Sequence, residues 1–109
     1  MNEQVYAACS KIPVGKVTTY KFIAEAIGRP KAYRAVATIL SKNPNAPIVP
    51  CHRVIGTDRT LKGYKGSSDI SEKKRMLMDE GVKFDDKDRV LKEYITDVAV
   101  KYDNLPQQL

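Results

Sequence analysis

Residues 47–56, PIVPCHRVIG, hold the pair of side chains best suited to nucleophilic chemistry. Cys51 directly precedes His52, the only histidine of the 109 residues. A cysteine becomes a nucleophile when its thiolate is stabilised, and a nearby imidazole or positive helix end can do this. In a strand these neighbours would point to opposite faces, whereas in a turn after Pro50 they could converge, directly or through a water. The alternative is that Cys51 is a small buried hydrophobe, as most free cysteines are.

The remaining candidate ligands exclude several other kinds of chemistry. Cys9, the second of two cysteines, lies on the apolar side of a short helical pattern, so we expect it in the core. Two cysteines are too few for a disulfide scaffold and suit a reducing compartment. One histidine and two distant cysteines cannot supply the four ligands of a zinc site. We therefore expect no metal.

The net charge of +6 is unevenly distributed along the chain. Residues 11–65 contain eleven Lys or Arg and only two acidic residues, whereas residues 85–109 contain four basic and six acidic residues. A basic middle segment suggests a polyanionic partner, most simply nucleic acid, although a solvated basic surface is the alternative.

The N-terminal residues MNEQVYAACS lack the basic start and long apolar core of a signal peptide, and no apolar run approaches the length of a membrane helix. We expect no membrane association and a cytoplasmic location, or a nuclear one in a eukaryote.

The apolar spacing predicts three helices in the first half of the chain, over residues 3–10, 20–28 and 31–43. Thr18 or Thr19 is placed to cap the second helix, and Gly28 to end it. The second and third helices, joined by a turn, have the outline of a helix-turn-helix. The solvent face of its recognition helix would carry four polar side chains: Lys31, Arg34, Thr38 and Lys42.

The second half predicts shorter elements. Residues 54–64 are typical of a small hairpin that turns at residues 57–59. Asp69 with Glu72 resembles a capping box for a helix that Gly81 would end. After Phe84 one strand-like run, RVLKEYI, precedes polar residues expected to fray. We divide the chain into a domain over residues 1–84 and a partly ordered extension over residues 85–109.

Several motifs together resemble one known family. In order they are IPVGKVTTYKFIAEAIGRPKAYRAV, NP, IVPCHRVIG, GYKG and EG. This set resembles the C-terminal DNA-binding domain of the O6-alkylguanine-DNA alkyltransferases, of which Pro-Cys-His-Arg-Val is the signature. The resemblance implies a mainly helical α/β fold that is winged-helix-like, with a helix-turn-helix and a small hairpin. It implies a DNA repair activity that flips O6-alkylguanine out of the duplex and transfers the alkyl group to Cys51, once per molecule and without a cofactor.

The resemblance also implies roles for individual residues. Cys51 would accept the alkyl group, His52 would draw its proton through a water, and Glu80 would orient His52. Tyr20 would crowd the target phosphate to help rotate the nucleotide, and its hydroxyl would donate to the guanine ring. Arg34 would enter the base stack in place of the flipped guanine.

Further roles concern the pocket and the DNA. Asn43 would brace the turn that presents Cys51. Val54 would offer its carbonyl, and Lys65 its N–H, to the guanine edge, while Tyr64 and the adjoining Gly66 would wall the pocket. Three more side chains would contact DNA: Thr19, Lys31 and Lys42. The implied partner is double-stranded DNA bound through its minor groove by a monomer, with other repair proteins as further partners.

The chain departs from the family pattern in several places. The sequence starts at the catalytic domain, whereas most alkyltransferases carry an extra N-terminal domain. In length it resembles the alkyltransferase-like proteins, which bind lesions but have tryptophan or alanine in place of Cys51. Ala37 follows RAV where glycine is usual, Tyr33 replaces a small residue, and Lys65 stands where serine is common. A non-catalytic lesion sensor and a helix-turn-helix regulator with an inert Cys51 are the alternatives.

Overall fold

A computed structural model of the chain describes residues 1–97. The regular elements are, in order, α1 (Asn2–Cys9), β1 (Thr18–Thr19), α2 (Tyr20–Ala26), α3 (Tyr33–Ser41), β2 (Val54–Ile55) and α4 (Ser71–Asp79), with 3₁₀ turns at Cys51–Arg53 and Lys92–Tyr94. Helices α1, α2 and α3 enclose one apolar core, and the chain around α4 encloses another. The predicted fold class, a mainly helical α/β domain, is confirmed.

The helix-turn-helix pair is α2 and α3. The Thr19 hydroxyl accepts a hydrogen bond from the Phe22 N–H at 3.0 Å, which satisfies a donor that the first turn of α2 leaves free. Gly28 follows the helix at φ +78°, a conformation that favours glycine at a helix end. The N-cap residue Thr19 and the glycine that ends the helix thus lie where the sequence predicts them.

Helix α3 is shorter than the predicted span of residues 31–43, because it begins at Tyr33 and ends at Ser41. Lys31 belongs instead to a turn in which the Ala32 N–H bonds the Arg29 carbonyl at 2.9 Å. Val36 and Leu40 turn inward to the core that they share with α1 and α2. One face of α3 is therefore committed to packing.

The sheet consists of β1 and β2, which pair in parallel with Thr18 opposite Val54 and Thr19 opposite Ile55. All four residues are buried, as is usual for parallel strands that are covered on both faces. The predicted turn after β2 is present, but within residues 1–97 the strand that pairs with β2 is β1 and not the segment after the turn. The expectation of a small hairpin over residues 54–64 was therefore wrong.

The start of α4 also differs from its prediction. Asp69 accepts a hydrogen bond from the Ser71 N–H at 2.9 Å, but the residue at the N-cap is Ile70. No reciprocal bond from Glu72 is found in the described part of the chain, so the expected capping box is absent. Gly81, at φ +95°, follows the helix as predicted.

The segment from residue 85 to 97 packs on the rest of the domain. The Val17 N–H bonds the Tyr94 carbonyl at 2.9 Å, and the Thr96 N–H bonds the Val17 carbonyl at 2.7 Å. The RVLKEYI run contains isolated bridges and a 3₁₀ turn, so the strand-like expectation was wrong. The boundary at residue 84 stays a prediction, and the rest of the predicted extension, residues 98–109, lies outside the described residues.

Candidate active site

The 3₁₀ turn Cys51–Arg53, here named the cysteine turn, presents the candidate nucleophile. The Arg53 N–H bonds the Pro50 carbonyl at 2.9 Å, so Cys51 and His52 lie in a tight turn and not in a strand. Both side chains are buried, Cys51 at 5% exposure and His52 at 1%. Because Cys51 and His52 lie in a turn, their side chains are not forced to opposite faces as they would be in a strand.

Asn43 braces the loop that leads into the cysteine turn. Its side-chain amide donates to the Val49 carbonyl at 2.8 Å, and its amide oxygen accepts from the Asn45 N–H at 3.0 Å. One side chain thus fixes both ends of residues 45–49. The role in bracing the turn that presents Cys51, which the family resemblance implied for Asn43, stays a prediction.

His52 is held by the carboxylate of Glu80, the residue that directly follows α4. Its Nε2 lies 2.9 Å from Glu80 Oε2. Since an ionised carboxylate can only accept, Nε2 carries the hydrogen and Nδ1 is the basic nitrogen of the neutral ring. Nδ1 is buried and has no hydrogen-bond partner within residues 1–97. The ring is therefore oriented with one nitrogen available to accept a proton.

Arg53 holds the same carboxylate from the other side. Its Nε and Nη2 donate to Oε1 and Oε2 of Glu80 at 2.9 and 2.8 Å, a bidentate geometry, while Nη1 donates to the Ile12 carbonyl at 2.9 Å. Arg53 therefore ties the cysteine turn both to the end of α4 and to the segment after α1. Arg53 had no predicted role of its own.

These contacts decide which groups are charged. Burial lowers the pKa of His52 and outweighs the opposing effect of the Glu80 hydrogen bond and charge, so the imidazole is neutral at pH 7. For Glu80, burial alone would raise the pKa, but the hydrogen bonds from Arg53 and His52 prevail and lower it. The result is an ionised Glu80 beside a neutral, proton-accepting His52.

A buried lysine that was not predicted lies beside this group. Lys73 is 1% exposed, and its Nζ donates to the carbonyls of Val54 at 2.7 Å and Gly63 at 3.0 Å. The ammonium also lies 5.9 Å from the centre of the Tyr20 ring. A signal existed, because Lys73 shares the inward stripe of α4 with Ile70 and Leu77, at helical spacings of three and four residues.

Burial lowers the pKa of Lys73 to about 8, although the charges of Cys51 and Cys9 as thiolates oppose this shift. The Lys73 ammonium and a Cys51 thiolate therefore attract each other. It also occupies one acceptor site of the Val54 carbonyl, which leaves the second lone pair of that oxygen for the predicted contact with the guanine edge. Lys73 therefore binds the carbonyl that is predicted to contact the guanine edge, and its charge also acts on Cys51.

A cleft of about 310 Å³ opens beside Cys51. It is lined by residues of α2, α3, the cysteine turn and the loop before α4: Tyr20, Ala37, Leu40, Ser41, Cys51, Lys62, Gly63, Tyr64, Lys65, Gly66, Ser67 and Ser68. Burial, and then the charge of Cys51, raise the pKa of both Tyr20 and Tyr64 to about 12. Both phenols therefore keep their protons and can donate hydrogen bonds at neutral pH.

The wall opposite α3 is a tight turn. Tyr64 and Ser67 exchange two backbone hydrogen bonds at 3.0 and 2.9 Å, and the two residues between them have φ of +53° (Lys65) and +77° (Gly66). Two positive φ values define a type I′ turn, in which glycine or asparagine is usual. At Gly63 a Cβ would come within 2.9 Å of the Ser67 carbonyl, so this turn admits no side chain there.

The predicted DNA-contacting residues have different surroundings. Arg34, Lys31 and Lys42 are exposed on or beside α3, and Arg34 lies outside the cleft lining. Thr19 is buried, and its hydroxyl caps α2, which leaves its predicted DNA contact without support. The cleft and the exposed basic side chains therefore lie on different sides of α3.

Residues 1–97 contain no group of three or more histidine, cysteine or acidic side chains that could hold a metal ion. None of their helices has the length and apolar character needed to cross a membrane.

Comparison with known proteins connects this geometry to named relatives. The chain is 51% identical over 70 residues to the methylated-DNA–protein-cysteine methyltransferase of Methanosarcina barkeri, an alignment that covers 64% of this chain and 44% of that protein. It is 45% identical over 78 residues to the bifunctional transcriptional activator/DNA repair enzyme Ada of Escherichia coli, with 72% of this chain and 22% of that protein covered. The chain thus spans less than half the length of these curated relatives.

Solved structures give the same result. The Mycobacterium tuberculosis OGT–DNA complex matches with a TM-score of 0.68 and 43% identity, covering 72% of this chain and 48% of that one. S. pombe Atl1, solved with damaged DNA containing O6-carboxymethylguanine, matches with a TM-score of 0.75 and 32% identity, covering 87% and 93%. A family model described as 6-O-methylguanine DNA methyltransferase, DNA binding domain, matches residues 1–82. The chain therefore belongs to this methyltransferase family.

Proposed function

We propose that the protein repairs DNA by transferring an alkyl group from O6 of guanine to its own Cys51. The observation that carries the proposal is the placement of Cys51 at the cleft, directly before a histidine that Glu80 orients at 2.9 Å. An inert core cysteine needs neither a cleft nor an oriented base. The relatives named as methyltransferases support the assignment.

The chemistry follows from the protonation states. Neutral His52 accepts the Cys51 proton at Nδ1 through a water, and the imidazolium that forms is stabilised by ionised Glu80. The thiolate attacks the alkyl carbon, the S–C bond forms as the C–O6 bond breaks, and the electron pair remains on guanine. The thiol proton finally restores neutral guanine. The thioether cannot be reversed by this route, so each molecule reacts once.

Lys73 and Tyr20 act around this step. The Lys73 ammonium stabilises the negative charge that forms on the sulfur, and its hold on the Val54 carbonyl fixes that oxygen towards the guanine edge. Protonated Tyr20 donates a hydrogen bond to the departing base, which makes guanine a better leaving group.

Access to a base requires that it leave the duplex, at a cost of a few kcal/mol. We propose that Arg34 offsets part of this cost by filling the gap in the stack, while exposed Lys31 and Lys42 contact phosphates without sequence preference. Binding through the minor groove, a monomeric state, a cytoplasmic location and contact with other repair proteins belong to the same proposal.

A lesion sensor that transfers nothing is the second candidate. One observation favours it: this chain spans 93% of Atl1, whose structure holds O6-carboxymethylguanine in DNA, but less than half of the longer methyltransferases. The third candidate, a helix-turn-helix regulator, does not require a histidine oriented by Glu80. Cys51, together with His52 and Glu80, favours transfer over both alternatives.

The test uses a duplex containing O6-methylguanine and mass spectrometry of the protein. We expect one methyl group per molecule on Cys51, none on Cys9, and no transfer by Cys51→Ala, which should still bind the duplex. Arg34→Ala should slow transfer far more than it weakens binding to undamaged DNA. Lesion binding without any gain in protein mass would assign the sensor function instead, and equal affinity for damaged and undamaged duplexes would assign the regulator.

A further inference from the structure

We propose that the cleft favours O6 substituents that carry a negative charge, such as a carboxymethyl group, and that Lys65 recognises this charge. This inference rests on the proposed function of the same site and names the class of adduct that it takes. Lys65 would then be a specificity-determining residue, acting through its side chain as well as through its backbone.

The charges around the cleft are unbalanced. Its lining contains two cationic side chains, Lys62 and Lys65, and no acidic residue within the described part of the chain. Lys62 is already neutralised, because its Nζ lies 2.7 Å from Asp58 Oδ2. Lys65 forms no ion pair with any residue from 1 to 97. The rim of the cleft therefore keeps one positive charge that no acidic residue from 1 to 97 pairs with.

The Lys65 ammonium lies on the cleft wall. Its Nζ is 5.4 Å from the centre of the Tyr64 ring, and that ring is buried and lines the cleft. A cation over an aromatic face at this distance is attracted to it by about 0.5–1 kcal/mol at an exposed site. This attraction holds the charge at the wall of the cleft in which the flipped base is proposed to bind.

The backbone places the lysine at an unusual position. At φ +53° in a type I′ turn, a residue with a Cβ is less stable than glycine by about 1–2 kcal/mol. A lysine here is therefore unfavourable for the turn itself, and a contribution of its side chain to the cleft would account for it.

The size of the cleft limits the adduct. About 310 Å³ lies at the lower end of small-molecule pockets, which suits a purine with a substituent of a few atoms. A carboxymethyl group is short and also carries a full negative charge. Its carboxylate would approach the Cys51 thiolate, and this repulsion disfavours transfer unless a nearby cation offsets it.

Transfer of the carboxymethyl group makes and breaks the same bonds as transfer of a methyl group. Cys51 Sγ attacks the methylene carbon, the S–C bond forms as the C–O6 bond breaks, and the electron pair stays on guanine. The thiol proton, moved through His52, completes neutral guanine. The carboxylate is a spectator and ends as part of an S-carboxymethyl thioether on Cys51.

The experiment compares two duplexes of one sequence, one with O6-methylguanine and one with O6-carboxymethylguanine. Single-turnover rates of Cys51 modification are measured by mass spectrometry for the wild type, Lys65→Gln, Lys65→Arg and the control Lys83→Gln, which removes an exposed lysine outside the cleft lining. We expect the ratio of carboxymethyl to methyl rate to fall about two- to fivefold in Lys65→Gln, the range of a partly exposed ion pair. Lys65→Arg and Lys83→Gln should keep the wild-type ratio.

Other outcomes overturn the inference. A ratio that Lys65→Gln leaves unchanged, while both rates fall together, would make Lys65 a phosphate contact. An equal fall of the ratio in Lys83→Gln would make it an effect of net charge. If wild-type Cys51 takes up neither group, the proposed function fails. The Lys65 proposal is then tested by binding and not by transfer. The ratio of the dissociation constants for the two duplexes is compared between Cys51→Ala and Cys51→Ala/Lys65→Gln, and an unchanged ratio would overturn the proposal.

Discussion

Cys9 and Cys51 lie in the same apolar core, yet their surroundings differ in almost every respect that matters for reactivity. Cys9 is on the inward face of α1 and has no exposed surface, and burial raises the pKa of its thiol to about 12. Cys51 is nearly as buried, but it lies in a 3₁₀ turn, lines the cleft, and precedes an oriented His52. The fraction of a cysteine that is exposed therefore says little about its role.

The difference comes from where the surrounding polar groups point. Around Cys51, three side chains bring charge to the turn. Arg53, from the turn itself, forms a bidentate pair with Glu80, and Lys73 binds two carbonyls. Cys9 feels the charges of Arg53 and Lys73 only as a minor opposition to burial. Three predictions test this contrast, from the largest expected effect to the smallest.

The first prediction separates the two thiols by their accessibility. With iodoacetamide under native conditions, Cys51 should be labelled while Cys9 stays unmodified, because Cys9 reacts only when α1 leaves the core. Opening of a core helix approaches the free energy of global unfolding, so we expect labelling rates that differ by at least about 10³-fold. Peptide mapping after timed quenching measures both rates. Similar rates for the two cysteines would contradict the contrast.

The second prediction concerns the support of His52. Glu80→Gln removes the carboxylate charge but keeps an amide of the same size, and we expect transfer to slow by about 10²-fold, the lower end for general acid–base catalysis. Because the Glu80 carboxylate raises the pKa of His52, its loss should lower that pKa further and move the acid limb of the pH–rate profile to lower pH.

The matched control is Asp79→Asn on the preceding residue, whose exposed carboxylate has Arg75, at 3.4 Å, as its one ion-pair partner within residues 1–97. It removes the same charge and should leave both the rate and the profile as in the wild type. If Asp79→Asn slowed transfer as much as Glu80→Gln, a general field effect would explain the result and the specific relay would be wrong.

The third prediction uses the buried charge of Lys73. Its pKa is about 8 when folded, below the ordinary value of 10.5, so between these values the unfolded chain binds more protons. Stability must then rise with pH in this window, and between pH 8 and 9 the wild type should gain about 1 kcal/mol relative to Lys73→Met. Urea unfolding at both pH values measures this. Lys74→Met, at the next position of α4, should show no such difference from the wild type.

The sequence predicted the helices well because their signals are local. Apolar spacing indicated α1 to α3, and Gly28 and Gly81 marked two helix ends at which φ is positive. The pairing of β1 with β2 was not predictable in the same way. Each strand has two residues, too few for a period-two pattern, and their partner lies 36 residues away in the chain.

The same distinction between local and long-range signals applies to the candidate site. Cys51 and His52 are visible in the sequence, but the contact of His52 with Glu80 spans 28 residues and was expected only through the family resemblance. Lys73 was missed because a lysine in a charged helix is normally solvated, although its position on the apolar stripe of α4 indicated burial. The Arg53 contact with the Ile12 carbonyl, 41 residues apart, had no sequence signal.

The two-residue pairing of β1 with β2 also constrains how the chain can vary in length. Tyr20 directly follows β1 and Cys51 lies three residues before β2, so two residue pairs set the alignment of these side chains. A single inserted residue between Thr19 and Tyr20, or between Cys51 and Val54, would displace one of these two side chains relative to the other. Insertions in the exposed turns at residues 28–31 or 57–58 would leave this alignment unchanged. Length variation among active homologues should therefore occur in those turns and not at the strand ends.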